Sequence, residues 1–209
     1  MSGAIEVGTA ITDLINQRKV FHSEADFQFA LAWQIQQLHQ DADVRLEVPV
    51  TRASGGRTEL DIQVQRGDPI EVTAIELKYR TALWAGTSEG EDFNLRYHSA
   101  TDLGFLYFAR DIQRVEELIG QGSADHGYAI FLTNEQRYTR HLARKCNFTD
   151  FQLENGGLLG PILNWAGDPN HKNSLNLKSS YAIKWVPFST ITAANGTATQ
   201  FSVLMVKVG

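Results

Sequence analysis

Apolar residues recur at helical spacing in HSEADFQFALAWQIQQLHQ, residues 22–40. Ser23 stands before the first of them as an N-cap, and Asp26 occupies the reciprocal capping position three residues later. The pattern predicts a helix that begins just after Ser23 and presents one apolar face to a core. The positions that define that face are Phe27, Leu31, Ile35 and Leu38.

Three strands are predicted to follow this helix. DVRLEVPV (residues 43–50) and TELDIQVQ (residues 58–65) both alternate apolar and polar residues, which is typical of strands with one buried face. The turn sequence RGDP at residues 66–69 then leads into EVTAIELKYRT, residues 71–81, so the second and third strands are predicted to form a hairpin.

A second helix and a buried strand complete this part of the chain. Residues 98–122 carry an apolar stripe, with Gly120 placed to end the helix. GYAIFLT, residues 127–133, is a continuous apolar run and predicts a strand covered on both faces. Residues 83–97 have no clear period. The predicted order is helix, three strands, helix, strand. Opposite the apolar stripe lie Arg110, Asp111, Arg114 and Glu117.

The C-terminal third of the sequence has a different pattern. Residues 145–180 are rich in Asn, Gly and Pro, which favours loops or irregular structure. YAIKWVPFS and FSVLMVKV flank a turn-rich segment and predict a terminal strand pair. We therefore expect an α/β fold with a mixed sheet: a single domain over residues 1–209, with a core at 20–135 and a β-rich C-terminal extension at 145–209.

Composition excludes several classes of protein. With 21% charged residues and a net charge of −5, the chain is neither a basic nucleic-acid arm nor an acidic disordered tail. The one cysteine, Cys146, allows no internal disulfide and no cysteine-based zinc cluster, which favours a reducing, cytoplasmic location. The N-terminal residues do not follow a leader pattern and no run of eighteen apolar residues occurs, so we expect a soluble protein without membrane contact.

The segment AIELKYRT, residues 74–81, carries the most informative chemistry. Glu76 and Lys78 share one face of the predicted strand, and Asp61 lies on the polar face of the preceding strand. Two converging carboxylates repel each other unless a cation lies between them, and oxygen ligands of this kind suit Mg²⁺ or Mn²⁺. The lysine would then orient an attacking water or offset charge on a phosphate. The alternative is a surface salt-bridge ladder along an edge strand.

Glu24 adds a fourth group from the first turn of the first helix, where it also suits the positive end of the helix dipole. Together, Glu24, Asp61, Glu76 and Lys78 resemble the PD-(D/E)XK nuclease superfamily over residues 20–135. The resemblance implies a restriction-endonuclease-like core and metal-dependent cleavage of nucleic acid, usually DNA, often by a homodimer. It also implies metal binding by Asp61, Glu76 and the carbonyl of Leu77, with Glu24 completing the site.

Two departures from the family pattern stand out. Leu60 replaces the proline that usually precedes the strand aspartate, and the C-terminal third matches no recognition module. The secondary candidates are all for substrate contact. Gln28 lies one turn after Glu24, Arg80 follows the motif, and Arg137 and Tyr138 follow the buried strand at the end where α/β sheets bind ligands.

Other enzyme classes lack support in the sequence. The six histidines show no metal-ligand spacing, and neither a nucleophile elbow nor a phosphate-binding glycine loop occurs. The leading hypothesis is therefore a Mg²⁺-dependent DNA endonuclease acting in defence, repair or recombination. The competing hypothesis, motivated by the acidic balance and the unassigned C-terminal third, is a catalytically inactive nuclease-fold module that binds nucleic acid or protein.

Overall fold

A six-stranded mixed sheet organises the chain. The computed structural model describes residues 4–52, 55–142, 146–170, 172–193 and 195–209, and these residues form three α-helices and a mixed α/β fold. The elements are α1 Val7–Gln17, α2 Glu24–Leu38, β1 Asp43–Thr51, β2 Arg57–Arg66, β3 Glu71–Arg80, β4 Trp84–Ser88, β5 Glu91–Leu95, α3 Thr101–Gly120, β6 His126–Thr133, a 3₁₀ turn Thr149–Phe151, β7 Leu158–Leu159, β8 Ile162–Leu163, β9 Leu175–Asn176, β10 Tyr181–Ala182, β11 Trp185–Thr192 and β12 Ala198–Val208.

The strands of the main sheet lie in the order β1-β2-β3-β6-β12-β11. The pair β3 and β6 is parallel, and every other neighbouring pair in this sheet is antiparallel. A parallel pair needs a crossover connection, which the chain supplies through α3. The two long C-terminal strands continue the same sheet, because β12 pairs with β6.

Helices cover both faces of the sheet. On one face, α1 and α2 enclose a core that includes Ile75, Leu77 and Tyr79 of β3, and on the other face α3 packs against Ala129 and Phe131 of β6. Strand β6 is apolar on both faces because it lies at the centre, between α3 and the α1–α2 layer. The prediction of a strand covered on both faces is therefore confirmed.

The predicted helices and strands are present with small shifts, and three features differ. The helix α1 and the hairpin of β4 and β5 were not predicted, and YAIKWVPFS is divided between β10 and β11. That division follows from pairing, since β10 joins β7 while β11 joins β12. The irregular segment has only short strands, β7 to β10, in its described part. Residues 145, 171 and 194 of the predicted loop and turn segments lie outside the described residues.

The start of α2 confirms Ser23 as the N-cap, since its Oγ accepts a hydrogen bond from the Asp26 amide at 3.1 Å. The reciprocal half of the capping prediction is wrong. The Asp26 carboxylate instead accepts from the His22 amide at 2.8 Å and forms a two-point contact with Arg18 at 2.7 and 2.9 Å. Arginine supplies a charged, forked donor that a backbone amide does not match.

Among the described residues, none of the helices has the length and apolar character to cross a membrane.

Close packing between α3 and β6 generates a stability prediction. A methyl group added at Gly127 would overlap Cγ1 of Val115. We expect Gly127→Ala to lower the free energy of unfolding by about 1–3 kcal/mol, as overpacking of a filled core does. Urea denaturation measures the change. In the double variant Gly127→Ala/Val115→Ala, the total loss of unfolding free energy should be smaller than the sum of the two single losses. A total equal to that sum would contradict the overlap between these two residues.

Candidate active site

The polar residues of β3 that face α3 each meet one residue of a single stripe on that helix. Glu76 Oε2 lies 2.7 Å from Nη1 of Arg114, and Lys78 Nζ lies 3.2 Å from Oδ2 of Asp111. The guanidinium carbon of Arg80 lies 6.0 Å from the ring centroid of Tyr107. The three helix residues are spaced as i, i+4 and i+7, which places them on one face. The alternation of β3 and the period of α3 therefore align three contacts in order.

This arrangement excludes the alternative interpretation, a surface salt-bridge ladder along an edge strand. Strand β3 is the third of six strands, and Glu76 is 1% exposed. The side chain of Lys78 is 14% exposed. Exposed ion pairs contribute little to stability, whereas buried charges must be paired or their burial is costly.

The polar face assigned to the second helix is wrong for Asp111. This residue is 4% exposed and lies beneath the helix, where it contacts Lys78 and stands 3.7 Å from Arg114. Helical periodicity assigns the faces of a helix from its apolar residues alone. It does not show that buried charges on a facing strand need counterions on the helix. The signal that would have found Asp111 and Arg114 is the charge on the facing strand: Glu76 and Lys78 each need a partner of opposite sign.

The edge of β3 that pairs with β2 also binds two carboxylates through its backbone amides. The ladder between β2 and β3 ends at the pair Ile62 and Ile75. Beyond that point Asp61 Oδ2 accepts a hydrogen bond from the Leu77 amide at 2.6 Å, and Glu24 Oε2 accepts one from the Tyr79 amide at 2.7 Å. These carboxylates satisfy amides that the departing strand leaves unpaired.

The Leu77 carbonyl lies between these two acids along the strand edge. In a strand, the N–H and C=O of one residue point to the same edge, so the carbonyl of Leu77 faces the side from which Asp61 and Glu24 approach. Glu24 also lies 3.9 Å from Nζ of Lys78. Glu24, Asp61, Leu77 and Lys78 thus converge on one stretch of β3, with Glu76 preceding them on its α3 face.

Sequence reasoning missed Glu47 of β1, whose neighbours Leu46 and Val48 pair with Ile62 and Leu60, the residues on either side of Asp61. Its φ of 51° is in the left-handed region, uncommon for glutamate and a mark of local strain within a strand. Gln28 Nε2 donates to Glu47 Oε1 at 2.7 Å and to the Asp61 carbonyl at 2.6 Å. Gln28 therefore holds the strand that bears Asp61. The strand alternation contains no signal for a positive φ at Glu47.

Two of these acids, Asp61 and Glu76, have raised pKa values and so hold their protons more tightly than usual. Burial raises the pKa of Asp61, although the Leu77 amide and Lys78 oppose the change. Burial, together with Asp111 and Asp61, raises the pKa of Glu76 well above its usual range despite Arg114. Burial lowers the pKa of Lys78, but the surrounding carboxylates, Asp111 first, outweigh it and raise the pKa overall. Lys78 is therefore an ammonium at neutral pH.

Oxygen donors for a cation are present, although they do not form a closed ligand set. Within the described ranges, no three Asp, Glu, His or Cys side chains have the arrangement of a metal-ligand group. Oε1 of Glu76 is buried and has no hydrogen-bond partner in the described part of the chain. A buried carboxylate oxygen without a donor is costly, so it favours the approach of a positive charge.

The candidates for substrate contact separate into different environments. Arg80 lines a cleft that also includes Glu24. Arg137 is exposed just beyond β6, and its amide donates to Glu135 Oε1 at 3.1 Å. The prediction of substrate contact by Tyr138 is wrong, because this residue is 1% exposed. Its ring centroid lies 4.8 Å from that of Phe105 and 4.7 Å from that of Phe131. A ring enclosed by other aromatic side chains has no surface for a substrate.

Comparison of the chain with protein-family models, with curated proteins and with solved structures gave no match. The functional interpretation therefore depends on the geometry of the residues. Glu24, Asp61, Glu76 and Lys78 come from α2, β2 and β3 and surround the middle of β3, while Asp111 and Arg114 add a second layer from α3.

The buried acids generate a prediction for stability against pH. Burial raises the pKa of Asp111 to about 6, against the opposing effect of Lys78 and Arg114. The folded chain then binds the proton more readily than the unfolded chain, so acidification from pH 8 to 5 adds stability through this group, on the order of 1–3 kcal/mol. Asp111→Asn should lose that gain in urea melts across this range.

The control is Glu59→Gln, which alters an exposed acid of β2. It should follow the wild-type curve, and because both variants keep the histidines, the difference between curves isolates Asp111. An Asp111→Asn curve parallel to wild type would show that this carboxyl does not titrate with a raised pKa.

Proposed function

We propose that this chain is a metal-dependent endonuclease of the restriction-endonuclease-like fold that hydrolyses DNA phosphodiester bonds in defence, repair or recombination. The order of α2, β1, β2, β3, α3 and β6 supports the proposal, since it matches the helix, three strands, helix and strand that the resemblance implies. The residues Glu24, Asp61, Glu76 and Lys78 occupy the corresponding elements.

One observation carries the proposal. Carboxylates from two separate elements, Glu24 of α2 and Asp61 of β2, bind the backbone of β3 on either side of the Leu77 carbonyl, next to the Lys78 ammonium. Neutral acceptors could cap the Leu77 and Tyr79 amides equally well, whereas two carboxylates add mutual repulsion and a cost of desolvation. The gathering favours a site that accepts a cation and an anionic substrate.

The donor set fits a hard divalent cation. Asp61, Glu76 and the Leu77 carbonyl would hold Mg²⁺ or Mn²⁺, with Glu24 completing the site, since all of these donors are oxygens. Oε1 of Glu76, which has no hydrogen-bond partner among the described residues, supports the fit. When bound, such a cation polarises a phosphoryl oxygen and lowers the pKa of a water molecule.

Lys78 and its partner Asp111 have a separate task. The Asp111 carboxylate holds Nζ of Lys78 at 3.2 Å, which fixes the ammonium beside Glu24. An ammonium donates hydrogen bonds but does not accept a proton, so Lys78 would orient the attacking water and offset charge on the phosphate rather than act as a general base. Arg114 neutralises Glu76 at the neighbouring position of the same α3 stripe.

A second function class also has an observation in its favour. The Glu76 carboxylate is held at 2.7 Å by Arg114, and a closed ligand group is absent from the described residues. A nuclease-fold module that binds nucleic acid or protein without catalysis would retain such an arrangement. The two functions differ in metal binding and in turnover, and both are measurable.

Cleavage is the first test. We expect wild-type protein to nick supercoiled DNA with Mg²⁺ or Mn²⁺ and not with EDTA, and Glu76→Gln and Lys78→Met to lower the rate by at least about 100-fold, as loss of transition-state stabilisation does. Lys207→Met, an exposed substitution on β12, serves as the matched control. Urea melts establish that each variant folds. Undiminished cleavage by both folded site variants would remove these residues from the mechanism.

Metal binding is the second test, by calorimetry with Mn²⁺. Asp61→Asn keeps an acceptor for the Leu77 amide but removes the charge, and we expect it to weaken binding by at least about tenfold. Arg114→Gln should tighten binding, because it frees Glu76 from its competing cation. Equal affinity of wild type and Asp61→Asn would contradict the site. Absence of wild-type binding would favour the non-catalytic module.

A further inference from the structure

A cleft of about 500 Å³ opens beside Glu24 at the carboxyl end of β3. One wall is the start of α2, and the other is the hairpin of β4 and β5 with the segment that follows it. The lining includes Glu24, Arg80, Thr81, Asn94, Arg96 and His98. Glu24 therefore belongs to both the cleft and the acidic cluster.

The hairpin presents its polar face to the cleft. Phe93 and Leu95 of β5 are buried in the core beneath α1 and α2, so the alternate residue Asn94 and the following Arg96 turn toward the opening. Aromatic stacking supports the wall, since the His22 ring lies 4.3 Å from the Phe93 ring. The wall is thus built on the core and does not depend on a free loop.

Thr81 joins this wall to the end of β3. Its amide donates to Nδ1 of His98 at 3.0 Å, its hydroxyl donates to the Arg96 carbonyl at 2.6 Å, and its carbonyl accepts from the His98 amide at 2.9 Å. Thr81 is 2% exposed. These bonds preorganise the cleft, and because Nδ1 of His98 is an acceptor, its Nε2 carries a proton and is a donor.

Two arginines, Arg80 and Arg96, line the cleft. Within the described part of the chain, neither Arg80 nor Arg96 forms an ion pair. Nε of Arg80 is buried without a hydrogen-bond partner among those residues. Arginine prefers planar or tetrahedral oxyanions that it can contact through several donors, and phosphate is the common one in nucleic-acid recognition.

We propose that this cleft binds the backbone phosphates of a single nucleic-acid strand next to the reacting phosphodiester, with Arg80 and Arg96 as the principal contacts. The inference deepens the proposed function and rests on it for the role of Glu24. A volume of about 500 Å³ is that of a site for one drug-sized molecule, so the cleft accommodates a backbone segment of one strand. Phosphate contacts of this kind position a strand without reading its sequence.

Salt-dependent binding tests the proposal without catalysis. Fluorescence anisotropy with labelled oligothymidylate in EDTA gives the slope of log K against log salt concentration for the full chain. We expect Arg80→Gln/Arg96→Gln to reduce the magnitude of that slope by about 1.4, or about 0.7 for each phosphate contact to single-stranded DNA, and to weaken binding.

Arg66→Gln is the matched control. Arg66 is bonded to Asp41 and pairs with the first residue of β3, whereas Arg80 is the last, so about 30 Å of strand separates them. An unchanged slope in the double variant, or an equal loss in Arg66→Gln, would overturn the proposal. Arginine-dependent binding without any metal-dependent cleavage would retain the cleft and reject the hydrolase, whereas cleavage with arginine-independent binding would do the reverse.

Discussion

Two buried ion pairs between β3 and α3 constrain the rest of the structure. Glu76 with Arg114 and Lys78 with Asp111 align the helix on the strand, because a shift of either element would leave charges unpaired in the core. The alignment also fixes the rotation of α3 and, through it, the packing of the apolar stripe on β6. Stability and the position of the Lys78 ammonium therefore depend on the same contacts.

The separation of β2 from β3 has an equally direct consequence. Where the ladder ends, Asp61 and Glu24 take the places of missing backbone acceptors at the Leu77 and Tyr79 amides. The backbone requirement for hydrogen bonds thus brings acids together against their repulsion, and it leaves the Leu77 carbonyl available between them. Such an arrangement is costly for a protein that only folds, and it is well suited to one that binds a cation and a phosphate.

Local periodicity predicted most of the core but not its charge pairing. The helical spacing of apolar residues predicted α2 and α3, and the alternation along a strand placed Glu76 and Lys78 on one face of β3. The helix α1 also has apolar residues at helical spacing, at Val7, Ala10, Ile11 and Leu14, so its sequence carries the signal of an amphipathic helix. The buried Asp111 and the positive φ of Glu47 depend on residues distant in sequence, which no local pattern contains. The enclosed ring of Tyr138 depends likewise on partners far along the chain.

The central claim is that Asp61, Glu76 and the Leu77 carbonyl share one divalent cation. Anomalous diffraction from crystals of the protein soaked in Mn²⁺ tests it most directly. We expect a manganese peak between the two carboxylates and that carbonyl, with Glu76 released from Arg114. A fully soaked crystal with no peak at this position, and with Glu76 still bonded to Arg114, would contradict the account.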